Sequence, residues 1–210
     1  MFFDMPVRSR RLAETAKRML DVLITLCAAP LVLPLIGLLA VLVKLQDGGP
    51  CFYRRRVVGL QGEFDAFKLR TMRVDADRLL EESPELKKSY EQGCYKIVDD
   101  PRITPLGKWL RRFSADELPQ FLNVLSGEMS LVGPRMITRE ELVFYGDARD
   151  LILSVKPGIT GYWQVYGRHT LSYDEKVRMD FHYIQHRSLV MDVVLLLRTA
   201  PKVLFKKEKF

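Results

Sequence analysis

The chain has 210 residues, 48% of them hydrophobic, and carries 33 Lys and Arg against 26 Asp and Glu, a formal net charge of +7. That length fits one globular domain with a terminal anchor. The basic excess suits lipid headgroups or nucleotide phosphates, but with no long basic run and no recognisable binding motif it argues against nucleic acid. The three cysteines, Cys27, Cys51 and Cys94, are scattered and odd in number, which argues against a disulfide framework or a cysteine metal site.

Residues 22–43 contain no charged side chain and no polar one beyond the Thr25 hydroxyl. A helix of that length extends about 33 Å, against a hydrocarbon core of about 30 Å. The run is too long for a cleaved signal peptide. Pro30 and Pro34 sit near its centre and remove backbone donors, so a broken or bent helix is expected. Both flanks are basic: Arg8, Arg10, Arg11, Lys17 and Arg18 precede the run, and Lys44, Arg54, Arg55 and Arg56 follow it. Charge therefore assigns no direction to a spanning helix. A re-entrant helix, turning at the prolines and leaving by the face it entered, keeps both flanks on one side. Lys17, Arg18 and Asp21 read as its interfacial anchor, with Arg18 and Asp21 sharing a helix face.

Beyond the apolar run, Gly48-Gly49-Pro50 is a turn, and residues 51–53 form a short strand. Residues 64–72 alternate apolar side chains with Lys68 and Arg70, which a strand would project from one face. Residues 74–92 read as two short helices split at Pro84. A turn-rich connector, residues 99–107, leads to a helix over 108–112, placing Arg111 and Arg112 one turn before the adjacent carboxylates Asp116 and Glu117. Ser114 and Glu117 have the spacing of a capping box, with Phe113 and Leu118 as its staple. Alternatively, a helix starting at Asp116 accommodates Pro119 in its first turn. Either arrangement puts the carboxylates at a helix start, where the partial positive charge favours anions.

Further on, residues 139–145 read as an amphipathic helix ending near Gly146. Residues 174–186 read as a helix with Val177, Phe181 and Ile184 on one stripe. His182 and His186 stand four residues apart without a third metal ligand. The apolar run within 189–205 is too short to span. It either packs as a helix or lies in the membrane interface, with Lys202, Lys206 and Lys207 at the headgroups.

Several strings carry a resemblance: Lys17-Arg18-x-x-Asp21, Phe67-Lys68-x-Arg70-Thr71-Met72, and Leu110-Arg111-Arg112-Phe113-Ser114-Ala115-Asp116-Glu117-Leu118-Pro119-Gln120. To these are added Met129-Ser130-Leu131-Val132-Gly133-Pro134-Arg135 and Pro157-Gly158-Ile159-Thr160-Gly161 through Gly167-Arg168. Together they resemble the bacterial sugar transferase family, monotopic phosphoglycosyl transferases that start glycan assembly on a polyprenyl-phosphate carrier.

The resemblance implies an α+β fold: a Pro-broken re-entrant helix in residues 1–46, joined to a small mixed α/β catalytic domain in residues 47–210 with interfacial amphipathic helices. It implies transfer of sugar 1-phosphate from a UDP-sugar to undecaprenyl phosphate, releasing UMP, by a ping-pong mechanism. Asp116 would be the nucleophile, and Asp116 and Glu117 would hold Mg²⁺. Lys68, Arg70, Arg111, Arg135 and Arg168 would bind substrate. The implied location is the cytoplasmic face of the bacterial inner membrane, among membrane lipids and downstream glycosyltransferases. The oligomeric state is left open, a homodimer included. The scheme needs Asp116 to be reachable at the level of the lipid surface. Arg55 and Val57 stand where the family usually has Gln and Arg, and Tyr166 where many members have Asn or Ser; both departures bear on substrate choice. The rival readings are a membrane-tethered, lipid-binding interaction protein whose carboxylates only cap a helix, and a phosphatase or glycosyltransferase using the same carboxylates.

Overall fold

The computed structural model describes residues 7–92, 97, 99–167 and 171–204. A long first helix, α1 (Val7–Asp47), leads into an antiparallel hairpin of β1 (Phe52–Gly59) and β2 (Gly62–Leu69). Helices α2 (Ala76–Glu82), α3 (Pro84–Gln92) and α4 (Pro105–Arg112) follow, then a 3₁₀ turn at Ala115–Glu117 and helix α5 (Gln120–Ser126). Strands β3 (Ser130–Val132) and β4 (Gly158–Thr160) pair in parallel. Between them lie a 3₁₀ stretch, Glu141–Ala148, and α6 (Arg149–Leu153). Helices α7 (Tyr162–Tyr166), α8 (Tyr173–His186) and α9 (Leu189–Leu204) complete an α+β architecture.

Two two-stranded sheets bury little by themselves, so helices supply most of the core. Val57, Ala66, Val124, Met129, Val132, Tyr183, Ile184 and Leu195 join the hairpin, α5, the parallel pair, α8 and α9 into one apolar cluster. A smaller cluster, Leu39, Val43, Leu69, Leu110 and Ala115, ties the second half of α1 to β2, α4 and the 3₁₀ turn. Truncating a fully buried leucine such as Leu110 in a cluster this small should cost about 2–5 kcal/mol.

Helix α1 corrects one expectation: it runs without interruption through Pro30 and Pro34, so the prolines do not divide it into two helices. Each proline removes one backbone donor from the helix. The apolar positions around them, Leu23, Leu26, Leu31, Leu33, Leu35 and Leu38, are exposed to the surroundings rather than packed on the domain. Of the described helices, α1 alone is long and apolar enough to cross a membrane.

The residues read as the anchor bond to the globular domain. Lys17 donates to the Val132 carbonyl at 2.9 Å and to Asp192 Oδ2 at 2.6 Å, and Arg18 donates to the carbonyls of Val124 and Leu125. Asp21 accepts from Ser130 Oγ at 2.8 Å and from the Leu131 N–H at 3.1 Å. These bonds join α1 to the globular domain. Arg18 satisfies the terminal carbonyls of α5, where a cation also complements the helix dipole.

Further departures are local. The first strand extends to Gly59, because Arg54, Arg55 and Arg56 are accommodated on an exposed hairpin; their charge hid its alternation. Residues 141–148 form a 3₁₀ stretch kinked at Gly146 (φ 52°) rather than an α-helix. The capping box lies elsewhere in the chain: Ser114 has a left-handed backbone and no capping bond, whereas Ser172 and Glu175 form a reciprocal box at the start of α8. Helix α9 packs, with Leu195 fully buried, while Val190, Val193 and Leu197 stay exposed. Arg168, His169, Cys94, Lys206 and Lys207 lie outside the described residues.

Candidate active site

The site is built on the short segment between α4 and α5. Thr104 caps α4, its Oγ1 accepting from the Gly107 N–H at 2.9 Å, and Pro105 starts the helix. Glycine is required at 107, because a Cβ there would lie 1.9 Å from the Thr71 carbonyl oxygen. That close approach brings Arg111 onto the end of β2, where its Nε donates to Thr71 Oγ1 at 2.9 Å. Thr71, read from sequence as a packing and turn residue, thus positions a cation.

After α4 the chain reverses through Ser114, whose φ of 52° turns Asp116 and Glu117 inward. Both carboxylates are buried, at 8% and 9% exposure. Glu117 Oε1 accepts from Lys68 Nζ at 2.7 Å and from Arg135 Nη2 at 2.8 Å. Asp116 Oδ2 lies 4.0 Å from Lys68 Nζ, and among the described residues the Asp116 oxygens accept no hydrogen bond. Those oxygens are not among the sealed, partnerless atoms, so they keep a thin contact with solvent. Asp116 is therefore more covered than the sequence reading required, yet its surroundings are charged side chains rather than apolar core.

Two supports hold this geometry. Asn123, fully buried on α5, accepts from the Phe67 N–H at 3.0 Å and donates to the Asp65 carbonyl at 2.8 Å, pinning β2 and hence Lys68. The turn bearing Arg135 packs on the β4 segment so closely that a Cβ at Gly133 would lie 2.5 Å from the Lys156 carbonyl.

The electrostatics pull the two carboxyls apart. For Asp116, burial and the adjacent Glu117 charge push its pKa above the ordinary carboxylate value, and Lys68, Arg111 and Arg135 offset this only in part. Burial acts on Glu117 in the same sense, but Arg135 and Lys68 outweigh it and hold Glu117 well below the usual range. Burial likewise lowers the Arg111 guanidinium, which the charges of Asp116 and Asp100 counter. This corrects the expectation that a helix start keeps Asp116 ionised: α5 begins only at Gln120 and has seven residues. Three cations facing two carboxylates leave an excess positive charge for an anionic substrate.

Of the residues singled out from sequence, the structure gathers Lys68, Arg111, Asp116, Glu117 and Arg135. It does not bring Arg70 among them. Arg70 lies just past β2, donates to Asp47 Oδ2 (2.7 Å), Pro50 O (2.6 Å) and Met72 O (2.9 Å), and thereby locks the end of α1. That hydrogen bond lowers the Asp47 pKa to about 2. Tyr166 packs on Tyr162, ring centroids 4.7 Å apart, under the Arg198 guanidinium. Sequence reasoning assigned no role to Asp47, Asn123 or Glu141.

Among the described residues no group of three or more His, Cys, Asp or Glu could hold a metal. Asp116 and the second oxygen of Glu117 nevertheless fit Mg²⁺, which binds through one or two carboxylates and completes its shell with waters and phosphate oxygens.

A buried carboxylate pair ringed by cations, beside an apolar helix, is an arrangement suited to phosphate-bearing groups. The chain belongs to the bacterial sugar transferase family, whose model matches residues 12–206. It is 42% identical over 205 residues to the exopolysaccharide production protein ExoY of Sinorhizobium fredii, covering 96% of this chain and 91% of the relative. It is 39% identical over 201 residues to the undecaprenyl-phosphate galactose phosphotransferase of Salmonella typhimurium, covering 93% of this chain and 42% of that protein. It is 36% identical over 204 residues to the UDP-glucose:undecaprenyl-phosphate glucose-1-phosphate transferase of Xanthomonas campestris pv. campestris, covering 93% and 40%.

Proposed function

We propose that this protein transfers a sugar 1-phosphate from a UDP-sugar to undecaprenyl phosphate, releasing UMP, at the first membrane step of bacterial exopolysaccharide or related glycan assembly. The observation that carries this reading is the convergence of Lys68, Arg111 and Arg135 on adjacent buried carboxylates, one of them, Asp116, free of hydrogen bonds from the described residues. The names of the Salmonella and Xanthomonas relatives supply the donor and acceptor classes.

Phosphoryl transfer between anions depends chiefly on positioning and charge neutralisation. Lys68 and Arg135, both turned to the carboxylate pair, would bind the donor diphosphate, with Arg111 adding charge beneath. Asp116, ionised, attacks the sugar-linked phosphorus; the bond to the UMP oxygen breaks and UMP departs. The carrier phosphate then attacks the same phosphorus and releases the aspartyl oxygen. Mg²⁺ bound at Asp116 and Glu117 would neutralise diphosphate charge. Glu117, paired with two cations, stays ionised and holds them in place.

Re-entry of α1 is supported by its contacts. Asp21, before the apolar stretch, binds Ser130 and Leu131, while Val43 and Asp47, at its end, meet Leu110 and Arg70 of the same domain. A helix crossing about 30 Å of hydrocarbon carries its ends to opposite surfaces. One domain meeting both ends is compatible with entry and exit through one face if α1 bends at Pro30 and Pro34, and the face in this reading is the cytoplasmic one of the inner membrane. Ala115, next to Asp116, packs in the cluster with Leu39 and Val43, which supports an active site at headgroup height.

The test is UMP release from a panel of UDP-sugars, with and without undecaprenyl phosphate and Mg²⁺. Mg²⁺- and carrier-dependent UMP is expected. Release of UDP would indicate a glycosyltransferase, and no release with any donor a membrane-tethered lipid-binding protein.

A further inference from the structure

The hairpin register sorts its side chains into two faces. Directly opposed residues share a face, as Arg54 over the Phe67 ring (5.8 Å) and Arg56 against Asp65 (3.3 Å) show on one side. The other face carries Lys68 opposite Tyr53, and Ala66 opposite Arg55. Lys68 reaches Glu117, so Tyr53 and Arg55 belong to the face that turns toward the carboxylates.

Both side chains have unspent capacity there. Tyr53 is 53% exposed and pairs across the hairpin with Lys68. Arg55 uses one nitrogen on Glu141 (2.9 Å), and among the described residues its Nε and Nη1 have no acceptor. Glu141 is itself fixed, accepting from the Thr138 N–H at 2.8 Å, and its charge is felt by Arg135. Arg55 is therefore held one carboxylate away from a cation of the catalytic cluster. Two residues along a strand are about 7 Å, within the length of an arginine side chain, so Tyr53, opposite Lys68, and Arg55 flank the space beside a diphosphate held at Lys68.

We propose that Tyr53 and Arg55 form the nucleotide wall of the site, Tyr53 stacking on the base and Arg55 donating to the phosphate that leaves as part of the nucleoside monophosphate. The proposal rests on the transferase reading and adds where the leaving group is held. An exposed ring offers a sequence-tolerant stacking platform. A guanidinium already braced on a carboxylate presents its free N–H groups to phosphate oxygens without ordering cost. Phe52, 47% exposed, lies on the opposite face with Arg54, away from Lys68 and the carboxylates.

The experiment titrates UMP into the full-length protein in nanodiscs and measures UMP release kinetics in parallel. Tyr53→Ala and Arg55→Ala are each expected to weaken UMP by about tenfold or more and to raise the donor KM alike, with the carrier KM held within about twofold. Tyr53→Phe should retain wild-type affinity. Arg55→Gln keeps a partner for Glu141, so a loss of UMP affinity in that folded variant reports the missing guanidinium. Unchanged UMP affinity in both alanine variants overturns the proposal, as does a raised carrier KM or weakened membrane partitioning at Tyr53→Ala with UMP binding intact. If the wild-type protein binds no uridine nucleotide, the transferase reading fails as well; failure confined to the variants overturns the nucleotide wall alone.

Discussion

Asp21 and Asp116 are two buried aspartates with opposite fates. Asp21, 5% exposed, has both oxygens occupied, one by the Ser130 hydroxyl and one by the Leu131 N–H. Asp116, 8% exposed, accepts nothing from the described residues, though cations stand near it. A buried carboxylate without donors is costly, so a fold that retains one beside its cations keeps those oxygens for chemistry. A fully satisfied carboxylate is a joint. Asp180 stands between them: Tyr145 Oη donates to one oxygen at 3.0 Å, while Oδ1 has no partner among the described residues.

This contrast can be broken by substitution. The largest effect is expected at the unsatisfied member: Asp116→Asn should lower UMP release by on the order of 10⁴-fold and abolish labelling by sugar phosphate. Its thermal unfolding temperature should hold or rise, since a buried charge is removed. Turnover surviving in that variant would eliminate the covalent scheme.

The half-satisfied carboxylate should report in pH. Burial raises the Asp180 pKa from 3.8 to about 7, against the opposing pull of Tyr145 and Arg135. Because the folded state then holds this proton more tightly than the unfolded chain, its contribution is complete below about pH 4. It is lost progressively as pH rises to about 7, a loss on the order of 4 kcal/mol. Denaturant unfolding from pH 5 to 8 should show this fall, and Asp180→Asn should flatten it; a slope unchanged in that variant would reassign the proton to another group.

For the satisfied member, Asp21→Asn replaces charge-assisted bonds with neutral ones and exposes one mismatch, at about 1.5–3 kcal/mol of stability. The kcat of the folded fraction should stay near wild type, which separates a joint from a catalytic group. The smallest effect is expected at Arg70→Lys. Losing the bidentate grip on Asp47 should cost about 1 kcal/mol, with the donor KM unchanged; a raised donor KM would instead return Arg70 to substrate binding.

Much of this was legible because local chemistry is local. The split of α2 and α3 at Pro84 follows from one residue. The helix before the carboxylates, read over 108–112, runs from Pro105 to Arg112, and of the stripe Val177, Phe181 and Ile184 on α8, Val177 and Ile184 are buried and Phe181 partly so. The hairpin was read short because three consecutive arginines erase the alternation that marks a strand; only the pairing with β2 shows which of them face outward. The capping box at Ser114 had the right spacing, but Ser114 adopts a left-handed conformation where the chain folds Ala115 into the cluster with Leu39 and Val43, and no capping bond forms.

By itself, the sequence determined an apolar helix joined to an α+β domain, the family to which it belongs, and the adjacent pair Asp116 and Glu117 as the place for chemistry. Tertiary structure alone decided how the cations divide. Lys68 and Arg135 meet at Glu117 from segments 49 and 18 residues away in the chain, while Lys17, Arg18 and Arg70, equally basic, are consumed in fastening α1. Charge is a property of a residue, but whether it is spent on a neighbour or left for a substrate depends on which distant donors and acceptors the fold brings within about 3 Å.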